Sequence, residues 1–172
     1  GSVDILAQTA DFYAAPRISS DGTKIAWIEW RHPNMPWNEA ELMLAGLDKE
    51  GRVSNLLHVT DEGEAAFQPE FGPDGNLYYI SDRSGWWNLY CQTETGVQCV
   101  YAVEAEFGLP HWAFGMRTYD FGIDGRIVVA FLLDGISKLA EIDLLSGAMR
   151  TIPEPHIDIV GLRARGGCAF YI

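Results

Sequence analysis

The chain has 172 residues, of which 48% are hydrophobic and 12% aromatic, enough for a packed core and for about one full domain. Twelve basic residues against 24 acidic ones give a formal charge of −12. That balance argues against nucleic acid and against an anionic membrane surface as partners, because both require a basic face.

The first residues carry no signal for export. Val3-Asp4-Ile5-Leu6 lack the basic start and apolar run of a signal peptide. Gly1-Ser2 without an initiator methionine reads as an appended remnant, so the natural start is expected to lie elsewhere. The longest apolar run, Ile127 to Leu133, has the length of a strand and falls far short of the roughly 20 residues that span a membrane. The three cysteines, Cys91, Cys99 and Cys168, are odd in number and form no C-x-x-C pair. They fit a reducing compartment, which makes the cytoplasm the expected location.

Along the chain, one pattern returns. The first copy is Pro16-Arg-Ile-Ser-Ser-Asp21-Gly22-Thr-Lys-Ile-Ala-Trp27. It is followed by strand-like runs Glu41–Ala45 and Val53–Leu57, joined by the turn-rich Asp48–Gly51. The second copy is Pro69-Glu-Phe-Gly-Pro-Asp74-Gly75-Asn-Leu-Tyr-Tyr-Ile80, followed by Trp87–Cys91 and Val97–Tyr101 around Glu94–Gly96. The third is Tyr119-Asp-Phe-Gly-Ile-Asp124-Gly125-Arg-Ile-Val-Val-Ala130, followed by Leu139–Asp143 and Ala148–Ile152 around Leu145–Gly147. A weaker fourth runs from Ile159 through Gly166-Gly167 to Phe170. Each Asp-Gly pair suits a tight turn, with Asp bonding its own backbone and Gly taking positive φ. The apolar flanks make each turn the tip of a hairpin. Short helical turns are expected only at Pro36–Ala40 and near Glu104.

The first two Asp-Gly steps are 53 and 50 residues, and Gly167 follows Gly125 by 42. Repeats of this length, each with four strands, mark an all-β fold of the β-propeller type. The reading is about three and a half blades of a larger propeller. Blade 1 is placed at about 12–59, blade 2 at about 65–103, blade 3 at about 112–155 and the start of blade 4 at about 158–172. Another antiparallel β fold, such as a sandwich, is the competing architecture.

At these repeats the sequence resembles the propellers of prolyl-oligopeptidase-type serine peptidases, in the dipeptidyl aminopeptidase and acylaminoacyl-peptidase branch. The run Ile80-Ser-Asp-Arg-Ser-Gly-Trp-Trp-Asn-Leu-Tyr90 carries the likeness, and TolB-like propellers share the short repeat. Two longer stretches, Trp27–Leu42 and Glu104–Trp112, are more similar to the peptidase branch. The resemblance implies a seven- or eight-bladed propeller beside a C-terminal hydrolase domain, which gates access for short peptides and helps position them. The competing function is a TolB-like or WD40-like scaffold for a protein partner.

The hydrolase chemistry has no place to land in this sequence. A nucleophile elbow needs G-x-S-x-G, and the nearest stretch, Gly135-Ile-Ser137-Lys-Leu139, lacks its second glycine. No catalytic residue, metal site or cofactor is therefore assigned. His32, His58, His111 and His156 are isolated, without metal-ligand spacing, and read as loop or strand-edge residues. The resemblance does offer candidate substrate-binding residues. Glu39 and Glu41, and separately Glu104 and Glu106, could meet the free α-amine of a peptide, because an ammonium in a partly dry cavity needs an anionic partner. Solvated turn charges are the alternative. Trp86 and Trp87, with Trp37 and Trp112, could line the cavity toward the hydrolase, or simply pack between blades.

Two structural expectations complete the reading. Cys91 and Cys99 flank Thr95 symmetrically, so a hairpin centred there would set them opposite each other. Three and a half blades also leave two end faces uncovered. That predicts a homo-oligomer, through those faces or through strand exchange at Phe170-Tyr171-Ile172.

Overall fold

A computed structural model describes residues 3–172; Gly1 and Ser2, read above as an appended start, lie outside the described residues. Three four-stranded antiparallel sheets and a two-stranded one follow each other along the chain, each built from consecutive strands. The first contains β1 (Phe12–Ile18), β2 (Lys24–Trp30), β3 (Glu41–Leu47) and β4 (Val53–His58). The second contains β5 (Ala66–Phe71), β6 (Leu77–Ser81), β7 (Asn88–Thr93) and β8 (Gly96–Tyr101). The third contains β9 (Tyr119–Phe121), β10 (Arg126–Leu133), β11 (Ile136–Asp143) and β12 (Met149–Ile152). The last pairs β13 (Arg163–Arg165) with β14 (Cys168–Phe170). This is the blade succession of a propeller.

The burial pattern explains why each strand reads as it does. Leu77-Tyr78-Tyr79-Ile80-Ser81 is buried at every position. Successive side chains of a strand point to opposite faces, so continuous burial means that both faces of the blade are covered. Leu77 and Tyr79 pack toward blade 1, among Ala26, Ile28 and Leu42. Tyr78 and Ile80 pack toward blade 3, among Phe107, Ile127, Val129 and Ile142. A third core joins Val128, Ala130 and Leu139 to Ile159 and Leu162 of the fourth unit. Each large side chain so buried contributes about 1.5–3 kcal/mol. The fourth strand of a blade lies at the rim, and β4 is accordingly exposed along nearly its whole length.

The hairpin tips follow the sequence logic. Gly22, Gly75 and Gly125 have φ of 72°, 78° and 70°, a region that costs glycine nothing. Asp21 accepts hydrogen bonds from Ser19 Oγ (2.6 Å), Thr23 N (3.0 Å) and Thr23 Oγ1 (2.8 Å). These bonds, the Ser19 hydroxyl first, hold its carboxyl at a pKa of about 2. In the first strands, Ala15 and Gln68 adopt φ of 50° and 48°, and the ladder slips at each, just before Pro16 and Pro69. These are equivalent β-bulges.

Strand alternation sorts the connections onto two sides. The Asp-Gly tips and the β3–β4, β7–β8 and β11–β12 turns lie at one end of the blades. The β2–β3 loop, the β6–β7 loop and the interblade segments lie at the other. The bridges Ala40–Ala65 and Glu106–Leu132 join loops on that second side.

Four expectations change. The Cys91–Cys99 pairing is wrong: Cys91 stands opposite Gln98, and Cys99 opposite Tyr90. The hairpin turns on two residues, Glu94 and Thr95, with Thr93 paired to Gly96, so the register is one step off the symmetric count. One step flips the face, leaving Cys91 buried and Cys99 exposed. Neither predicted helical stretch contains a helix; Pro36–Asn38 is a turn closed by Asn38 N to Met35 O (2.9 Å), and the chain near Glu104 bends. One end face is also less bare than expected. Ile25, Trp27, Met43 and Ala45 on the outer face of blade 1 are buried, with Ala7 packed against them, and Thr9 Oγ1 donates to Glu29 (3.3 Å). At the other end Phe170 and Ile172 stay largely exposed, at 58% and 91%. Finally, His111 sits in a loop as expected, but its ring is enclosed.

Candidate functional site

The loop side gathers the candidate residues into separate groups. Glu39 and Glu41 line a small cavity of about 90 Å³ together with Glu29, Trp30, Arg31 and Asn34. The β2–β3 loop presents Glu39, and β3 begins at Glu41. Glu39 accepts from Asn34 Nδ2 (2.6 Å) and from Gly63 N (3.1 Å) of the next interblade segment. Glu41 pairs with Arg31 and lies 3.0 Å from His58 Nδ1. Glu29, only 1% exposed, accepts from Trp27 Nε1 (2.7 Å) and faces Arg31 at 3.5 Å. Three carboxylates thus line one cavity, and two of them, Glu29 and Glu41, share its single arginine, which leaves a local excess of negative charge. The carboxylate of Glu41 is the foremost cause raising the Arg31 pKa above its ordinary value.

Glu104 and Glu106 do not join this group. Glu106 accepts from Trp87 N (2.9 Å) and bridges by its backbone to Leu132, so it ties blade 2 to blade 3. Glu104 is exposed. Trp87 is wedged into the core between these blades, against Gly108, while Trp86 remains 39% exposed. Asp82 and Arg83 have structural partners. Asp82 accepts from Ala65 N (2.8 Å), and Arg83 pairs with Asp61 (2.7 Å) and with buried Glu64 (3.3 Å).

An aromatic seam joins the two long loops. Trp37 meets Trp112 at 4.1 Å between ring centroids and His111 edge-on at 6.3 Å. His111 stacks on Phe67 at 5.1 Å, with Trp87 edge-on at 6.4 Å. Burial pushes the His111 pKa down to about 4; the Leu109 backbone opposes the shift without reaching hydrogen-bonding geometry. Neutral imidazole is the stable form in so apolar a box.

Sequence reasoning missed a second group, on the first strands of the blades. Arg17 Nε lies 2.9 Å from Glu70, Glu70 lies 2.5 Å from Arg117, and Arg117 lies 3.0 Å from Asp120. Asp120 also accepts from Ala164 N of β13 (3.0 Å). The ladder runs across all four units. Its signal was available: Arg17, Glu70 and Asp120 each stand four residues before the aspartate of their turn. Among the described residues no group of three or more His, Cys, Asp and Glu side chains is placed to hold a metal ion.

Consecutive four-stranded blades, packed face to face, define a segment of a β-propeller. The propeller it matches is that of the prolyl-oligopeptidase-type peptidases. A crystal structure of a puromycin hydrolase superposes with a TM-score of 0.85 at 33% identity, over 95% of this chain and 25% of that one. A puromycin-hydrolyzing peptidase from Mycobacterium tuberculosis gives 0.83 at 31% identity, over 93% and 25%. TolB from Acinetobacter baumannii gives 0.56 at 18% identity, over 90% and 38%, a likeness of fold alone. The chain spans about a quarter of the length of the two peptidases. No protein-family model and no curated protein matches the sequence.

Proposed function

We propose that this chain is the propeller portion of a serine peptidase, and that it gates and helps position short peptides at a hydrolase domain whose catalytic groups it does not itself carry. The likeness to puromycin hydrolase over 95% of the chain carries this reading. The arrangement of the loops supports it. The long loops gather on one side, as an entrance built from several blades requires, and rigid blades are a good base for them. The work of such a part is steric and electrostatic; acyl transfer would belong to the hydrolase domain.

Within this reading, Glu39 and Glu41 receive the free amine of the peptide, and Glu29 adds its charge from behind. A substrate ammonium would meet Glu41, now paired with Arg31, and Glu39, now held by Asn34 and Gly63. The reducing compartment inferred from the cysteines puts the work in the cytoplasm.

Two measurements test the reading. The reading frame should continue into a strand, a G-x-S-x-G turn and a helix; a frame ending with the propeller leaves the TolB-like scaffold standing instead. In the complete protein, Glu39→Gln with Glu41→Gln should raise KM for free-amine peptides and leave N-acetylated ones unchanged. An unaltered KM for both removes the amine site.

A further inference from the structure

The chain holds four Asp-Gly pairs, Asp21-Gly22, Asp74-Gly75, Asp124-Gly125 and Asp134-Gly135. All four glycines sit in turns with φ between 70° and 78°. The pairs nevertheless divide into two kinds.

In the first kind, both the carboxylate and the following amide are tied down. Asp21 accepts from Ser19 Oγ, Thr23 N and Thr23 Oγ1. Asp74 accepts from Asn76 N (3.1 Å), Asn76 Nδ2 (2.8 Å) and Tyr78 Oη (2.9 Å). Gly22 N donates to the Ser19 carbonyl (2.9 Å), and Gly75 N donates to the Gly72 carbonyl (3.0 Å). In the second kind, neither group is held. Among the described residues, Asp124 and Asp134 accept no hydrogen bond and form no ion pair, and Gly125 N and Gly135 N donate to no carbonyl. Both aspartates are exposed. They alone of the four take positive φ, 57° and 52°, a left-handed conformation that costs an L residue free energy.

A free Asp-Gly pair has a reaction open to it. The glycine nitrogen attacks the aspartate Cγ. A C–N bond forms, a carboxyl C–O bond breaks, and the oxygen leaves as water with the amide proton and the carboxyl proton. The five-membered succinimide then takes water back. Opening at Cγ restores aspartate; opening at the backbone carbonyl gives isoaspartate, with the main chain running through the former side chain. Glycine permits the attack because no Cβ crowds its backbone.

We propose that Asp124 and Asp134 are modification sites that convert spontaneously to isoaspartate, and that the fold protects Asp21 and Asp74 from the same reaction. The side chain must swing onto the next nitrogen, so a carboxylate held by three hydrogen bonds must first give them up. A glycine amide that donates within its turn must do likewise. At Asp134 the product also changes the hairpin. Leu133 pairs with Ile136 across a two-residue turn, and isoaspartate lengthens that turn by one backbone atom where turn length sets the register.

The test incubates the 172-residue chain at neutral pH in heavy-oxygen water, so that each ring opening marks the residue. Peptide mapping with electron-transfer fragmentation locates the label and the isoaspartate. Label should enter Asp124 and Asp134 about tenfold faster than Asp21 and Asp74, the factor that one or two retained hydrogen bonds supply. In denaturant, where no turn is held, the four pairs should react at similar rates. The proposal falls if the four react alike in the native chain, if Asp21 or Asp74 leads, if the selectivity survives in denaturant, or if no label enters any of them.

Discussion

Gln68 and Tyr119 are locked to each other across the seam between blades 2 and 3. The Gln68 amide donates to the Tyr119 carbonyl (2.7 Å), and its oxygen accepts from Thr118 N (2.8 Å). In return, the Tyr119 hydroxyl donates to the Gln68 carbonyl (3.0 Å). Both residues are buried, at 3% and 0% exposure. A long-range core contact is thus backed by directional bonds that fix how one blade sits on the next. Gln68→Ala should cost about 2–3 kcal/mol, because it leaves buried backbone groups without partners. Denaturant unfolding measures this, and a loss under about 0.5 kcal/mol would show that the lock is not structural.

Gly108 faces Trp87 so closely that a methyl group would lie 2.6 Å from its Cε3 and 3.1 Å from Ile80 Cγ2. Gly108→Ala should therefore destabilise the fold by about 1–3 kcal/mol through overpacking. Trp87 fluorescence should change with it. The paired variant Gly108→Ala, Trp87→Leu should recover part of the loss.

His111 makes stability depend on pH. Its ordinary pKa of about 6.5 falls to about 4 in the fold, so between these values the unfolded chain binds a proton that the folded chain refuses. The contribution is whole above pH 6.5 and is lost as pH falls toward 4. At pH 4.5 the loss from this one group should reach about 2 kcal/mol. His111→Phe keeps an aromatic ring against Phe67 and should flatten this limb by that amount. Parallel Tm curves for the two proteins between pH 7 and 4.5 would contradict it.

The three thiols should react unequally. Cys99 and Cys168 are exposed, whereas Cys91 is buried and burial pushes its pKa up to about 11. Under native conditions Cys99 and Cys168 should label first and Cys91 only on unfolding. Oxidation should not join Cys91 to Cys99, because they project from opposite faces. Peptide mapping after mild oxidation checks this.

The N-terminal segment covers part of blade 1 where another blade could sit. Deleting residues 1–9 should bare Trp27 and Met43 and remove the Thr9 bond to Glu29. The truncated chain should self-associate at lower concentration than the parent. Sedimentation velocity at matched concentrations decides it; identical profiles would mean that the segment does not mask a sticky face.

These tests fall on features of unequal legibility. The Asp-Gly tips were readable because their chemistry is local: an aspartate bonds its own turn and a glycine takes positive φ. The strand at Leu77 to Ser81 was readable as an apolar flank of its turn. The Cys91 register was not, since it depends on whether a turn spends two residues or three, and Glu94-Thr95-Gly96 permits either. For the ladder of Arg17, Glu70, Arg117 and Asp120, the common offset of three of them from their turns marks equivalent positions, but which of them touch required the blades to be placed side by side. No spacing in the sequence says that Arg17 and Glu70 approach to 2.9 Å. The grouping of Glu29 with Glu39 and Glu41 was hidden for the same reason, since a strand and a loop must fold together before their charges share a cavity. Glu106 shows the reverse: the resemblance offered it as a substrate-binding residue, and its neighbours in space make it a brace.

The two ends of the blades also differ in how they answer acid. Asp21, Asp48 and Asp143, at the tips, have their carboxyl groups held below the usual range, chiefly by hydrogen bonds from their own turns. Each tip is electrically self-contained and needs nothing from the rest of the molecule to stay closed. The opposite side is braced by groups drawn from different blades, such as Glu39 on Gly63 and Trp37 on His111. Acidification should therefore work on the blades from one side, the side where His111 sits. It would loosen the contacts between blades on that side while the hairpins behind them keep their shape, so that the blades would part at their loops before their strands came undone.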